Sequence, residues 1–268
     1  MSRTDRTRTL AAGVRLEGMD PSPPFRIGTA GWSISRAAAA TFAHEGTGLE
    51  RYSAVFSCAE INSSFHRPHR ASTWEKWRDS VPEGFRFSVK LPKTVTHEAR
   101  LANAEDALAT FVAEASLLKE KLAVLLVQLP PSLALDAGVA ARFLYDLKRR
   151  TPARVAVEPR HASWFSTMGD ELLAECGAAR VGADPARVPE AARPLVVEGL
   201  AYWRLHGSPV IYRSSYADRI GTLAAQIAAT DAEERWCIFD NTASSAAIGD
   251  ALCLEEALAP TCPRTPAG

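Results

Sequence analysis

Apolar segments recur along the chain at intervals that are typical of alternating strands and helices. Eight short runs rich in aliphatic, aromatic and β-branched residues predict buried strands. They are FRIGTAGW (25–32), VFSCAEINSSF (55–65), FRFSVKLP (85–92), LAVLLVQLP (122–130), ARVAVEPR (153–160), ARVGAD (179–184), AYWRLHG (201–207) and RWCIFDN (235–241). Strands that are apolar on both faces are typical of parallel sheets covered by helices. The pattern therefore predicts an α/β protein, a single (β/α)8 TIM-type barrel.

The stretches between these runs have the period of amphipathic helices. The clearest is 103–121, in which Asn103 is the predicted N-cap. Its apolar stripe consists of Leu108, Phe111, Ala115 and Leu118. Further helices are predicted over 71–81, 138–150 and 224–234. The segment after the sixth strand, PARVPEAARPL, contains three prolines, so at least one helix of the barrel is expected to be degenerate.

Composition narrows the class of protein and its surroundings. The 31 basic and 31 acidic residues cancel, so no extended basic footprint for nucleic acid is expected. The five cysteines show no CxxC spacing, which favours free thiols in a reducing cytoplasm over a disulfide framework or a zinc site. No apolar run has the length of a membrane span. We expect a cytoplasmic protein with a barrel domain at 25–258, a disordered extension at 1–24 and a flexible tail at 259–268.

Polar side chains concentrate near the carboxyl ends of the predicted strands and are scarce near their starts. Because side chains alternate between the faces of a strand, residues two apart share a face. Such sets are Glu60, Asn62 and Ser64 on the second strand, Ser88 and Lys90 on the third, Glu158 and Arg160 on the fifth, and Arg204 and His206 on the seventh. Single polar residues close the fourth, sixth and eighth strands, namely Gln128, Asp184 and Asp240. The carboxyl ends meet at the mouth where barrel enzymes have their active sites, so a functional pocket is predicted there.

Two kinds of chemistry suit this set of residues. The cationic side chains predict an anion site, and barrels frequently bind phosphate in the loops after the seventh and eighth strands. The predicted substrate-binding residues are Lys90, Arg160, Arg204, Asn62, Gln128, Asp184, His161, Trp164 and Asn241. Glu158 and His206 are the preferred pair for general acid–base catalysis, with Glu60 and Asp240 as further catalytic candidates. Asn241 or Thr242 is expected to cap the last helix.

A structural interpretation of the same charges stays open. Glu158 with Arg204, or Asp184 with Arg160, would neutralise each other as buried ion pairs, which also perturb pKa values. A metal centre would draw on Glu60, Glu158, Asp184, His206 and Asp240, but the neighbouring arginines and lysine repel a cation. No metal site is therefore predicted, and no cofactor is identified.

Aromatic residues beside arginines raise nucleic acid as a less favoured ligand. Trp32, Phe65, Trp164, Tyr212 and Tyr216 follow predicted strands, and aromatic and arginine side chains together stack bases. The net charge of zero disfavours extended contact with a phosphate backbone.

These observations predict an enzyme that acts on a small anionic substrate, such as a phosphorylated sugar or a nucleotide, by acid–base chemistry. The alternative is a non-catalytic protein that binds a ligand or a nucleic acid in the same pocket. The sequence does not decide between them, nor does it give the oligomeric state.

Seven blocks of the sequence resemble the DUF72 family, the YecE-like proteins. They are IGTAGWS (27–33), AEINSSFHRP (59–68), FRFSVKLPKTVTHEARL (85–101), LLVQLPPS (125–132), VEPRHASW (157–164), YWRLHGSP (202–209) and IFDNTASSAA (238–247). The resemblance spans 25–258 in order and implies a TIM-barrel fold. It implies no reaction, because the family is named for having no assigned function.

Overall fold

The computed structural model of the protein describes residues 25–259, in which parallel strands alternate with helices. The predicted extension at 1–24 and nearly all of the predicted tail lie outside the described residues. The strands are β1 (Phe25–Thr29), β2 (Cys58–Ile61), β3 (Arg86–Lys90), β4 (Leu122–Gln128), β5 (Arg154–Glu158), β6 (Ala178–Arg180), β7 (Gly182–Asp184), β8 (Leu200–Leu205) and β9 (Glu234–Phe239). The α-helices are α1 (Gly48–Ser53), α2 (Ala71–Asp79), α3 (Glu105–Ala115), α4 (Ala137–Arg150), α5 (Thr167–Glu175), α6 (Ile220–Ala228) and α7 (Ala246–Leu258).

The strands form two parallel sheets that together run around one barrel. One sheet has the order β1-β9-β8-β7 and the other β2-β3-β4-β5-β6. β1 and β2 are joined by a parallel bridge between Ala30 and Glu60, and Gly31 N donates to Glu60 O at 2.8 Å. At the other junction β6 and β7 are the two halves of the predicted sixth strand, and the intervening Val181 N donates to Val157 O at 2.8 Å. The predicted (β/α)8 TIM-type architecture is confirmed, with its sixth strand broken at Val181.

The segment after β7 replaces a barrel helix, as its prolines predict. It contains only a 3₁₀ turn at Pro189–Ala192, and Leu195 then pairs antiparallel with Arg180 through two backbone hydrogen bonds of 3.0 and 3.1 Å. Because Arg180 exchanges both of its backbone bonds with this returning chain, the regular ladder is interrupted beside the break in the sixth strand.

Two predicted helix boundaries are wrong, although the apolar stripes behind them are confirmed. Asn103 does not cap α3: it has a φ of 51°, and Ala104 is the N-cap. The acidic Glu105 and Asp106 in the first turn complement the exposed backbone N–H groups instead. The helix predicted at 224–234 is α6, which begins four residues earlier because Ile220 starts its buried stripe.

Inside the barrel an apolar layer separates two charged layers. The middle layer contains Val124, Ala156 and Trp236, with the Trp236 ring stacked on Tyr202 at a centroid distance of 5.8 Å. Below it, at the starts of the strands, Arg26 forms an ion pair with Glu234. The expectation that strand starts lack charge is therefore wrong. Both ends of a barrel are accessible to water, so only the middle layer has to be apolar.

Candidate functional site

Arg204 lies at the centre of the charged layer at the carboxyl ends of the strands. Its guanidinium contacts one carboxylate from each of β2 and β5 and the residue that follows β9. Nε and Nη2 donate to Glu60 at 3.0 and 2.7 Å, Nη1 donates to Glu158 Oε2 at 2.7 Å, and Nη2 donates to Asp240 Oδ2 at 3.0 Å. Arg204 and Glu60 are fully buried. A buried guanidinium needs such a complete set of acceptors, so Arg204 holds the three carboxylates together.

The Glu158 carboxylate accepts hydrogen bonds from four side chains. Besides Arg204, Gln128 Nε2 donates at 3.1 and 3.0 Å, Arg160 donates to Oε1 from Nε and Nη2 at 3.2 and 3.1 Å, and His206 Nε2 lies 2.9 Å from Oε1. Burial alone raises the pKa of Glu158, but Arg204, His206 and Arg160 together hold it well below its usual value. Glu158 is therefore ionised at neutral pH, and its lone pairs are occupied.

His206 lies just beyond the end of β8, between two carboxylates. Its Nδ1 is 3.0 Å from Asp240 Oδ2 and its Nε2 is 2.9 Å from Glu158 Oε1. Burial lowers the pKa of this imidazole, but Glu158 and Asp240 raise it to a net value above the usual one. With an acceptor at each nitrogen, the imidazolium form is the one that satisfies both contacts.

The phenol of Tyr202, which the sequence analysis did not predict as a site residue, closes the floor of the site. Tyr202 OH lies 3.1 Å from Glu60 Oε2 and 2.8 Å from Ser88 Oγ, and all three side chains are buried. Parity was the available signal, because Tyr202 precedes Arg204 by two residues and so shares its inward face. The phenol bonds one Glu60 oxygen from below, which leaves that carboxylate fully paired.

Lys90 and Arg160 lie above this floor, toward the opening. Lys90 Nζ is 4.0 Å from the centroid of the Phe65 ring, and burial together with Arg204 lowers its pKa to about 8, against the opposing effect of Glu60 and the other carboxylates. Arg160 keeps 20% of its side chain exposed. Half-buried His97 has a pKa lowered by burial and by the charges of Lys90 and Arg160.

A cavity of about 250 Å³ opens beside this layer. Glu158, Arg160 and His206 line one side of it. The opposite side is formed by the Pro185–Arg187 segment, together with Ala191 and Ile211. The cavity is slightly smaller than the roughly 300–1,000 Å³ typical of small-molecule sites, and Glu158, Arg160 and His206 on its polar wall belong to the residue set predicted from the strand ends.

Basic groups outnumber acidic ones in this layer. Three carboxylates, those of Glu60, Glu158 and Asp240, are present. Four basic side chains, Lys90, Arg160, Arg204 and His206, surround them. With His206 protonated, the layer holds one positive charge more than it holds negative charges, unless Lys90 is neutral.

Other predicted residues are placed differently. The Asp184 carboxylate does not join the layer: it accepts from Arg219 Nη2 at 2.7 Å and from Tyr216 OH at 2.9 Å. The anticipated pairing of Asp184 with Arg160 is thus replaced by one with Arg219, whereas that of Glu158 with Arg204 is formed. Of the five residues considered as metal ligands, Asp184 is turned away from the other four, and Arg204 occupies the space between the carboxylates of Glu60, Glu158 and Asp240. Within residues 25–259 no group of three or more His, Cys, Asp and Glu side chains is arranged to hold a metal ion.

Asn241 links the loops after β8 and β9 instead of capping a helix. Its Nδ2 donates to Ser214 O at 3.0 Å and to Asp250 Oδ2 at 2.6 Å. The residue before α7 is Ser245, whose side chain forms no capping bond, so the capping prediction for Asn241 and Thr242 is wrong. The Asn241 amide pairs with the Asp250 carboxylate on α7, and no local sequence motif predicts this contact.

The remaining predicted residues lie around the mouth. Trp164 is buried, and its Nε1 donates to Leu133 O at 3.0 Å, while His161 Nδ1 is 2.9 Å from Ser163 Oγ. Asn62, just after β2, is half-buried, and its Oδ1 is buried without a hydrogen-bond partner among the described residues. Of the aromatic residues near the strand ends, Tyr216 is buried and Tyr212 is 42% exposed.

The chain shares sequence and fold with proteins that carry no assigned function. It is 29% identical to the UPF0759 protein YecE of Escherichia coli K12 over 154 residues, which covers 55% of this chain and 56% of that protein. It is 30% identical to the UPF0759 protein YunF of Bacillus subtilis 168 over 124 residues, 44% of each chain. The chain thus spans about half the length of the curated relatives it matches.

Among the described helices, none has the length and apolar character to cross a lipid bilayer.

Solved structures show the same fold. A DUF72 family protein from Enterococcus faecalis V583 superposes with a TM-score of 0.73 at 20% identity, covering 87% of this chain and 95% of that one. A DUF72 family protein from Thermotoga maritima MSB8 gives 0.71 at 23% identity, covering 87% and 98%. A D-psicose 3-epimerase gives 0.52 at 11% identity over 79% and 90%.

The sequence pattern of the family described as "Protein of unknown function DUF72" matches residues 26–267, which is nearly the whole chain and extends into the predicted tail. By this match the protein is a member of the DUF72 family.

Proposed function

We propose that this protein is an enzyme that binds a small anionic substrate at the carboxyl-terminal mouth of its barrel and transfers protons there. The observation that carries the proposal is the surplus of basic over acidic side chains beside a cavity of about 250 Å³. A bound anion removes that surplus. The low dielectric of a largely buried site makes such neutralisation more favourable than it is in water.

Arg160 is the residue that meets the anion. Its bonds to Glu158 run from Nε and Nη2, and Nη1 takes no part in them, so the Nη1 amino group remains as a donor for a carboxylate or phosphate. Asn62 Oδ1, just after β2, is a buried acceptor without a partner among the described residues, and in this proposal a substrate hydroxyl group supplies the donor it lacks. An anion that also carries hydroxyl groups fits both residues, as a phosphorylated sugar or a nucleotide does.

His206 is the proposed proton donor, with Glu158 and Asp240 as the groups that hold and orient it. The two carboxylates keep the imidazole charged and fix its ring. A substrate atom that enters from the cavity can then replace one carboxylate as the hydrogen-bond acceptor of the imidazole. Glu158 is saturated with donors in this arrangement and therefore acts through His206 instead of accepting a proton itself.

Binding of orthophosphate tests the anion site. We expect isothermal calorimetry to give a dissociation constant of about 1 mM or lower for the wild-type protein. Arg160→Gln should weaken binding at least about tenfold, a loss of about 1.4 kcal/mol. The matched control is Arg149→Gln on the exposed surface of α4, which should bind as the wild type does. Equal binding by wild type and Arg160→Gln would remove the basis of the proposal.

Turnover of candidate substrates tests the catalytic part. A panel of phosphorylated sugars and nucleotides is incubated with the protein, and conversion of each compound is followed by NMR. We expect conversion of at least one compound by the wild type and none by His206→Gln. Binding with no conversion of any compound would instead favour the non-catalytic binding protein.

A further inference from the structure

Two buried lysines in this protein differ in the hydrogen-bond acceptors around their amino groups. Lys121 and Lys90 are each 7% exposed. Lys121 Nζ donates to Val81 O at 2.6 Å and to Pro82 O at 2.7 Å, which compensates its burial. Lys90 Nζ has no hydrogen-bond acceptor within the described part of the chain, and its neighbour is the face of the Phe65 ring at 4.0 Å. The Lys121 ammonium group is therefore held by two backbone acceptors, whereas the Lys90 amine has none among the described residues.

The charged groups that act on Lys90 come from several strand ends. The acidic ones are Glu60 at the end of β2, Glu158 at the end of β5 and Asp240 after β9, and the basic ones are Arg204 and His97. All three carboxylates already accept hydrogen bonds from Arg204, and none lies within hydrogen-bonding distance of the Lys90 amine. Loss of the Lys90 proton therefore breaks no hydrogen bond between the described residues of the layer.

A desolvated lysine beside other cations is the situation in which an amine becomes nucleophilic near neutral pH. We propose that Lys90 forms an imine with an aldehyde or ketone that also carries a carboxylate or phosphate. The nitrogen lone pair of the neutral amine attacks the carbonyl carbon, a C=N bond replaces the C=O bond, and the carbonyl oxygen leaves as water with the two amine protons. No oxidant or reductant takes part. The inference rests on the proposed function, because Arg160 binds the anionic group of this substrate.

Reductive trapping tests the imine. The protein is incubated with glyoxylate, a small anionic aldehyde, and sodium cyanoborohydride, which delivers hydride to the imine carbon and makes the adduct permanent. Peptide mass mapping then compares the label on Lys90 with that on Lys93, a lysine three residues away that is 48% exposed and paired with Glu98. At pH 7 we expect Lys90 to be labelled at least about tenfold faster than Lys93, because a pKa near 8 leaves about a tenth of the Lys90 amine neutral.

Three further measurements complete the test. The labelling rate at Lys90 should rise through about pH 8. Lys90→Arg should remove the fast label, and Lys93→Arg should leave it in place. Labelling of Lys90 that is no faster than that of Lys93 in the wild-type protein overturns the inference, and this result does not depend on how any variant folds.

The neutral aldehyde glycolaldehyde separates this inference from the proposed anion site. Faster trapping of glyoxylate than of glycolaldehyde at Lys90, with the preference lost in Arg160→Gln, supports both proposals. Fast trapping of the two aldehydes at equal rates supports the imine and contradicts the anion site. Phosphate binding with no preferential label on Lys90 contradicts the imine alone.

Discussion

Arg204 and Glu60 form a bidentate ion pair in which neither side chain reaches solvent. Nε donates to Oε2 at 3.0 Å and Nη2 donates to Oε1 at 2.7 Å, between strands that lie on opposite sheets of the barrel. The guanidinium occupies the centre of three carboxylates, where a barrel of other chemistry could bind an inorganic cation. The permanent charge of arginine makes this cation independent of pH.

Removal of Arg204 should therefore be severely destabilising. Arg204→Met leaves Glu60, Glu158 and Asp240 buried without their common partner, and we expect the free energy of unfolding to fall by about 3–5 kcal/mol. Urea denaturation followed by circular dichroism measures this loss. The control is Asp79→Ala, which breaks an ion pair whose carboxylate is 64% exposed and should leave stability close to that of the wild type. A comparable effect of the two substitutions would show that the central pair is not a determinant of stability.

The pKa values of three histidines should be shifted in opposite directions from the usual one. Glu158 and Asp240 raise the pKa of His206 above its usual 6.5, although burial opposes them, whereas burial lowers the pKa of His97 and of His69. An NMR titration of the imidazole protons should place His206 above about 6.5 and the other two below it. His97 and His69 serve as internal controls, and a His206 that titrates with them would contradict the charged form.

The same shift gives a pH dependence of stability. Because the folded state binds the His206 proton more tightly than the unfolded state, the stabilisation is complete below about pH 6.5 and is lost as the pH rises through the folded pKa. The difference in unfolding free energy between wild type and His206→Gln should thus be larger at low pH than at high pH. A constant difference across this range would argue that the charge of His206 contributes nothing.

Glu158 should contribute the opposite dependence on the acid side. Its pKa is depressed in the folded protein, so its contribution is present above about pH 4.5 and is lost as the pH falls through the folded value. We expect acid unfolding of Glu158→Gln to be less steep than that of the wild type below about pH 4.5. Glu171→Gln, an exposed site on α5, is the control and should keep the wild-type profile.

Two helical glycines should respond oppositely to a methyl group. A Cβ at Gly169 on α5 would overlap the carbonyl oxygen of Trp164, whereas a Cβ at Gly249 on α7 would meet open space. Gly169→Ala should destabilise the protein by about 1–3 kcal/mol through overpacking. Gly249→Ala should stabilise it by about 0.5–1 kcal/mol, the gain in helix propensity. Thermal unfolding of the pair measures both, and equal shifts of the same sign would contradict the packing described around Trp164.

Strand alternation was sufficient to predict much of the candidate site. Glu158, Arg204 and His206 meet at one end of the barrel because residues two apart share a face and parallel strands end at the same mouth. The same rule misplaced Asp184, because the break at Val181 and the nearby Arg219 of another loop draw its carboxylate away from the layer. Alternation also places Tyr202 on the inward face beside Arg204, but its phenol carries no charge and it was not among the predicted site residues.

The sequence by itself determined the class of fold and the end of the barrel at which the polar residues gather, since both follow from local periodicity and from the parallel direction of the strands. Only the tertiary structure decided which charges pair and which group stays free. That choice depends on distances between side chains far apart in the chain. Arg204 binds the carboxylates of Glu60, Glu158 and Asp240, and Lys90, which is also buried, is left without an acceptor among residues 25–259. The free energy of a buried charge is set by such neighbours, and no local pattern of residues records them.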